Sequence, residues 1–146
     1  MQLSPNFTLD EFTHSNTATR AGISNEPSEA ILIRLKRVAA TLEQVRTLLG
    51  KPITITSGYR SPALNDLVPG SSDTSAHTQG WAADFKVAGM TPFQVCQAIM
   101  KSGIHYDQLI HEFPPTGWTH ISIDPRMRSM ELTKRNGTGY LSGIIP

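Results

Sequence analysis

The chain has 146 residues and a mass of 16.0 kDa, with 38% hydrophobic residues and a formal charge of +1. That length suits a single domain, 1–146, and the apolar share is too large for a disordered chain. The near-neutral charge gives no reason to expect nucleic acid, and no apolar run approaches a membrane span, so no membrane insertion is expected.

The opening residues Met1-Gln2-Leu3-Ser4-Pro5-Asn6 carry no basic region followed by an apolar run, so no secretory signal is read there. The expectation is a soluble monomer made in the cytoplasm. Thr8 can cap a short helix over 9–14, with Asp10 and Glu11 in its first turn. Residues 15–25 are polar and read as irregular. From Ser28, the residues Ile31, Leu32, Leu35, Val38, Ala39, Leu42, Val45, Leu48 and Leu49 recur at helical spacing. Gly50 ends this long core helix and Pro52 prevents its return.

Ile53-Thr54-Ile55-Thr56 alternates and is β-branched, so it reads as a strand that exits sharply through Ser57-Gly58-Tyr59-Arg60-Ser61-Pro62. Arg60, at the strand's end, is either a functional side chain presented by the scaffold or a solvated surface charge. A short helix is read over 62–67 and a Gly- and Ser-rich loop over 68–74. A second strand, 81–87, turns Trp81, Ala83, Phe85 and Val87 one way and Ala82, Asp84 and Lys86 the other. Thr91-Pro92 starts a helix that Gly103 ends, with Cys96, the sole cysteine, as a buried and inert thiol. Strands over 107–113 and 118–123 are joined by the turn residues Pro114-Pro115-Thr116-Gly117. The tail from Met130 is sparse in apolar residues and reads as a ragged edge strand. Helices that precede and interrupt an antiparallel sheet make the class α+β: a small, mostly antiparallel sheet with the long helix and two or three shorter ones packed on it.

Chemistry concentrates in Ser75-Ala76-His77-Thr78-Gln79-Gly80-Trp81-Ala82-Ala83-Asp84. Seven positions separate His77 from Asp84, which is roughly 10 Å along a straight helix and roughly 23 Å along a straight strand. Only a turn, at Gly80, can bring the imidazole back over the carboxylate. With His120, the pair would make a two-His, one-Asp set with an open position, suited to catalytic zinc. The alternatives at this stage are polar surface histidines and an Asp84 paired with a nearby Arg or Lys.

Three islands stand in order: Ser57-Gly58-Tyr59-Arg60-Ser61-Pro62-Ala63-Leu64-Asn65, then Ser75-x-His77-x-x-Gly80-x-Ala82-x-Asp84, then Trp118-x-His120-x-Ser122. Together they resemble the zinc peptidases that include D-Ala-D-Ala carboxypeptidases and the L-alanyl-D-glutamate endopeptidases of phage endolysins. The segment from Glu11-Phe12 to Thr19-Arg20-Ala21-Gly22-Ile23 is similar to the lead-in of the compact phage and prophage members. The resemblance implies a Zn2+ cofactor held by His77, Asp84 and His120 on the open face of the sheet. It implies that Arg60 binds a substrate carboxylate or the developing oxyanion, and that Ser75 and Trp118 contact or support the substrate. Many relatives carry an acidic residue three positions before the last His. Gly117 stands there in this chain, so Glu112, in Asp107-Gln108-Leu109-Ile110-His111-Glu112, becomes the catalytic base.

The implied activity is hydrolysis, by a zinc-activated water, of a peptide bond in the stem or cross-link of bacterial peptidoglycan. The implied setting is phage lysis: the enzyme waits in the host cytoplasm until released to the cell wall. Two other readings stand beside it. One is a D,D-carboxypeptidase trimming terminal D-Ala; the other is a non-catalytic zinc-bearing module that binds wall or builds a virion.

Whether Glu112 can serve depends on strand register. His111 and Glu112 point to opposite faces, and only one shares a face with His120. A five-residue loop pairs Glu112 with Trp118 and puts the carboxylate on the His120 face; a four-residue loop puts His111 there instead. The need for a base selects the first register.

Overall fold

The computed structural model of the chain describes residues 1–69 and 75–146. Most of the loop expected over 68–74 therefore lies outside the described residues. The N-terminus forms a two-stranded sheet, β1 (Gln2–Ser4) and β2 (Phe7–Thr8), that leads into helix α1 (Leu9–Thr13). Thr8 and Glu11 cap α1 reciprocally. Residues 15–25 are not irregular throughout: Asn16–Ala21 is a helix, α2, capped by Ser15 and closed by Gly22. Its only buried residue is Ala18, so no apolar periodicity betrays it in the sequence.

Helix α3 (Glu29–Leu49) is the long core helix, begun by the Ser28 cap and ended at Gly50 in the left-handed conformation. It buries Leu35, Val38, Ala39, Leu42 and Val45. Each large aliphatic side chain so buried contributes roughly 1.5–3 kcal/mol. Strand β3 (Ile53–Ser57), helix α4 (Pro62–Asn65), strand β4 (Ala82–Val87) and helix α5 (Pro92–Met100) follow. Strands β5 (Gln108–Glu112), β6 (Trp118–Ser122), β7 (Met130–Lys134) and β8 (Tyr140–Ser142) complete the chain.

Among the described residues these strands form a six-stranded sheet in the order β3-β4-β6-β5-β7-β8. The sheet is antiparallel except for one pair: β7 lies parallel to β5, with Gln108 opposite Met130 and Glu112 opposite Lys134. The tail is thus not a ragged edge but two further strands. The exception has a local cause. The link leaving β6 crosses the start of β5, where Arg128 clasps buried Asp107 with two hydrogen bonds of 2.8 Å, and Met130 then donates to the Asp107 carbonyl at 2.9 Å. The chain therefore re-enters the sheet running with β5.

Alternation divides the sheet into two faces. Ala83, Phe85, Leu109 and Ile121 join Leu35, Leu42, Val95 and Ile99 in the core beneath α3 and α5. Ala82, Asp84, Ile110, Glu112, Trp118 and His120 turn to the open face. Cys96 is fully buried and its thiol is pushed up to about 12 by that burial, which keeps it inert. No helix of the described residues is long and apolar enough to cross a membrane.

Candidate metal centre and its cleft

His77, Asp84 and His120 converge on the open face, each buried, with one potential ligand atom apiece within 4.8 Å of the others. Two come from strand register. Asp84 on β4 lies directly opposite His120 on β6, and His120 Nδ1 is 2.9 Å from Asp84 Oδ1. The third comes from the turn that enters β4. Gly80 sits at φ 74°, and the folded segment before it holds the His77 ring over Asp84, with Nε2 3.3 Å from Oδ1. Asp84 is therefore not the partner of an Arg or Lys.

The hydrogen bonding of His77 tests whether a cation fits. Its Nδ1 is 2.7 Å from the Gly58 carbonyl, which can only accept. Nδ1 therefore carries a proton, and Nε2 is the ring atom turned toward the carboxylate oxygen. Nε2 and Oδ1, 3.3 Å apart and shielded from water, need a proton or a cation between them. The donor set thus fits a metal, and the Gly58 carbonyl orients the ligand from behind. Burial opposes the charge on Asp84, but the two histidines hold its carboxyl well below the ordinary range. Burial likewise works against charge on His120, and the Asp84 carboxylate outweighs it and raises the imidazole.

Glu112 pairs with Trp118, so the loop holds five residues and the carboxylate shares a face with His120. The Trp118 indole N–H donates to Glu112 Oε2, and its ring packs on Phe113 at 5.3 Å between centroids. Trp118 thus orients Glu112 directly, a contact that residue types alone do not reveal. Burial, then the charge of Asp84, raises the Glu112 carboxyl above the ordinary range. His111 points to the opposite face, where its Nδ1 lies 2.8 Å from the Ile145 carbonyl and its ring is 5.7 Å from Phe93.

The hairpin also explains why residue 117 carries no acid. A Cβ on Gly117 would stand 1.8 Å from the Glu112 carbonyl oxygen. A side chain there and this register are incompatible. Gly117→Ala is therefore expected to cost about 1–3 kcal/mol through overpacking and to lower the melting temperature by several degrees. Unfolding of the variant at the wild-type temperature, followed by circular dichroism, would contradict that strain.

Arg60 leaves the end of β3 half-buried. Its backbone N–H donates to the His77 carbonyl at 3.2 Å, and its Nη2 reaches Ser75 Oγ at 3.4 Å. Ser75 Oγ also accepts from the His77 backbone N–H at 3.2 Å, so this hydroxyl joins the Arg60 and His77 segments. Among the described residues, buried Arg60 Nε has no partner. Burial lowers the Arg60 pKa while Asp84 and Glu112 oppose the shift. All these groups line one cleft of about 560 Å³. Arg60 and Val68 also border a second hollow of about 260 Å³, lined by His14, Asn16, Thr17 and Leu64.

The basic stretch from Arg126 is partly neutralised, Arg126 by Asp124 and Arg128 by Asp107. A family model described as Peptidase M15 matches residues 5–122. A search of curated proteins found no match.

Proposed function

The chain belongs to the peptidase M15 family, and from that premise we propose that it is a zinc-dependent endopeptidase of bacterial peptidoglycan, of the phage-endolysin type. The observation that carries the reading is the convergence of His77, Asp84 and His120 beside buried Glu112 in one cleft. In this reading the two histidines and Asp84 hold the zinc. The metal, when bound, polarises a carbonyl and makes water a nucleophile at neutral pH.

The chain's own groups supply the rest. Glu112, fixed by the Trp118 indole, accepts a proton from the attacking water and returns it to the departing amine. Arg60 offers a planar set of donors, one of them unpartnered among the described residues, to charge that develops on the substrate. Glu112 is buried and Arg60 half-buried, so their interactions are screened less than in bulk water.

The choice of endopeptidase over carboxypeptidase rests on the position of Arg60. A carboxypeptidase needs its carboxylate-binding group at a closed end. Arg60 instead stands between the cleft and the second hollow, which gives a peptide somewhere to continue. The enzyme would remain in the host cytoplasm until the membrane is permeabilised and then reach the wall.

Digestion of purified peptidoglycan, with and without a chelator and followed by mass spectrometry, tests the reading. New amino termini within the stem or cross-link, abolished by the chelator, are expected. Loss of a single alanine would establish trimming instead, and a zinc-loaded protein that leaves wall fragments whole would point to a binding module. A narrower test concerns Arg60. Arg60→Lys keeps the charge and loses the two-pronged geometry. It is expected to retain zinc and to lose at least about tenfold in rate, equivalent to about 1.4 kcal/mol. Wild-type rates in the lysine variant would leave Arg60 with a charge role at most.

A further inference from the structure

We infer that Tyr140, on the C-terminal hairpin, is a substrate-contacting residue of this cleft and donates its phenolic hydroxyl to a carbonyl of the bound peptide. The inference rests on the peptidase reading above. It concerns a part of the chain that lies beyond the family match, which ends at residue 122.

Strand register places Tyr140. Trp118 lies opposite Glu112, Glu112 opposite Lys134, and Lys134 opposite Tyr140. Residues directly opposite one another share a face, so these four form one row across β6, β5, β7 and β8. The row lies on the face that carries His120, and all four residues line the same cleft. Tyr140 is two strands from Glu112, roughly 10 Å between backbones. Both side chains border the same cleft.

Lys134 occupies the intervening strand but is drawn aside. Its Nζ donates to the Thr138 carbonyl at 3.0 Å and lies 4.9 Å from the centre of the Tyr140 ring. A cation held over the ring face fixes its tilt, so Lys134 is a positioning residue. Tyr140 remains 57% exposed, and among the described residues its hydroxyl has no hydrogen-bond partner. Tyr106, by contrast, donates its hydroxyl to Glu131 at 2.7 Å. Partial burial, then Glu112 and Asp84, raises the Tyr140 hydroxyl above the ordinary phenol, so it stays a donor at neutral pH. A large exposed aromatic with a free donor, braced from one side and lining the same cleft as the base, fits a peptide main chain. The contact is a hydrogen bond only; no bond to Tyr140 forms or breaks.

The test compares wild type, Tyr140→Phe and Lys134→Met on soluble peptidoglycan fragments, measuring kcat and KM together with zinc content and melting temperature. Tyr140→Phe is expected to lose about tenfold in kcat/KM, with zinc content and melting temperature unchanged. Lys134→Met is expected to raise KM more than it lowers kcat. Cleavage by Tyr140→Phe at the wild-type rate would overturn the role of Tyr140 and leave the peptidase reading standing. A loss accompanied by zinc release or a lower melting temperature would make the residue structural and overturn the role as well. Wild-type protein that cleaves no fragment would overturn the peptidase reading and this inference with it.

Discussion

Glu112→Gln is expected to keep its zinc and to lose roughly a hundredfold or more in turnover, the usual scale for a positioned acid-base group. The amide matches the carboxylate in shape and can still accept the Trp118 indole N–H, so the hairpin should not shift. What it lacks is basicity. Residue 117 has no room for an acidic side chain and Asp84 is engaged by both histidines, so neither is placed to take over the role. His111→Ala is the matched control. His111 faces α5 and the C-terminal segment, not the cleft. Its removal should cost packing and leave most of the activity. An active Glu112→Gln, or a His111→Ala that folds but has lost its metal, would show that the base and the face had been assigned the wrong way round.

The sequence made the core helix and the hairpin legible because their signals are local. The 3.6-residue recurrence from Ile31 to Leu49, bounded by Ser28 and Gly50, leaves little choice. Spacing alone leaves the convergence of His77 on Asp84 open, since it shows only that a turn is needed; the three islands that carry the family resemblance are what point to it. Three features were not legible: a short helix without an apolar stripe, and two placements that are non-local. Helix α2 is held by its caps and buries a single alanine. The parallel pairing of β7 depends on the clasp between Asp107 and Arg128, 21 positions apart. The place of Tyr140 depends on three successive strand registers, and its own neighbours, Gly139 and Leu141, say nothing of a cleft. In the sequence, Gly117 reads as a missing acid. The hairpin shows it to be a steric requirement, and the same tight turn is what aims Glu112 at the site.

Asp84→Ala should release most of the metal. Wild type is expected to bind one zinc per chain, and on the proposed reading Asp84 would supply one of three protein ligands. Disturbing a group that merely supports a ligand typically weakens metal binding 10–100-fold, so deleting a ligand should cost at least that. Asp84 also has a second function that the alanine removes. It is the only carboxylate in contact with His77 and His120 among the described residues, and its charge offsets the cost of burying a cation there. The loss should therefore register in stability as well as in occupancy. A ligand present at 100 times its dissociation constant stabilises the folded state by about 2.7 kcal/mol, so zinc should raise the melting temperature of the wild type and leave that of Asp84→Ala nearly unchanged. The fold itself should survive, because the core beneath α3 and α5 lies on the other face of the sheet. Elemental analysis showing full zinc occupancy in a folded Asp84→Ala would remove this residue from the metal site. The two histidines would then have to find their third partner elsewhere in the cleft, with Glu112 a candidate carboxylate on the same face.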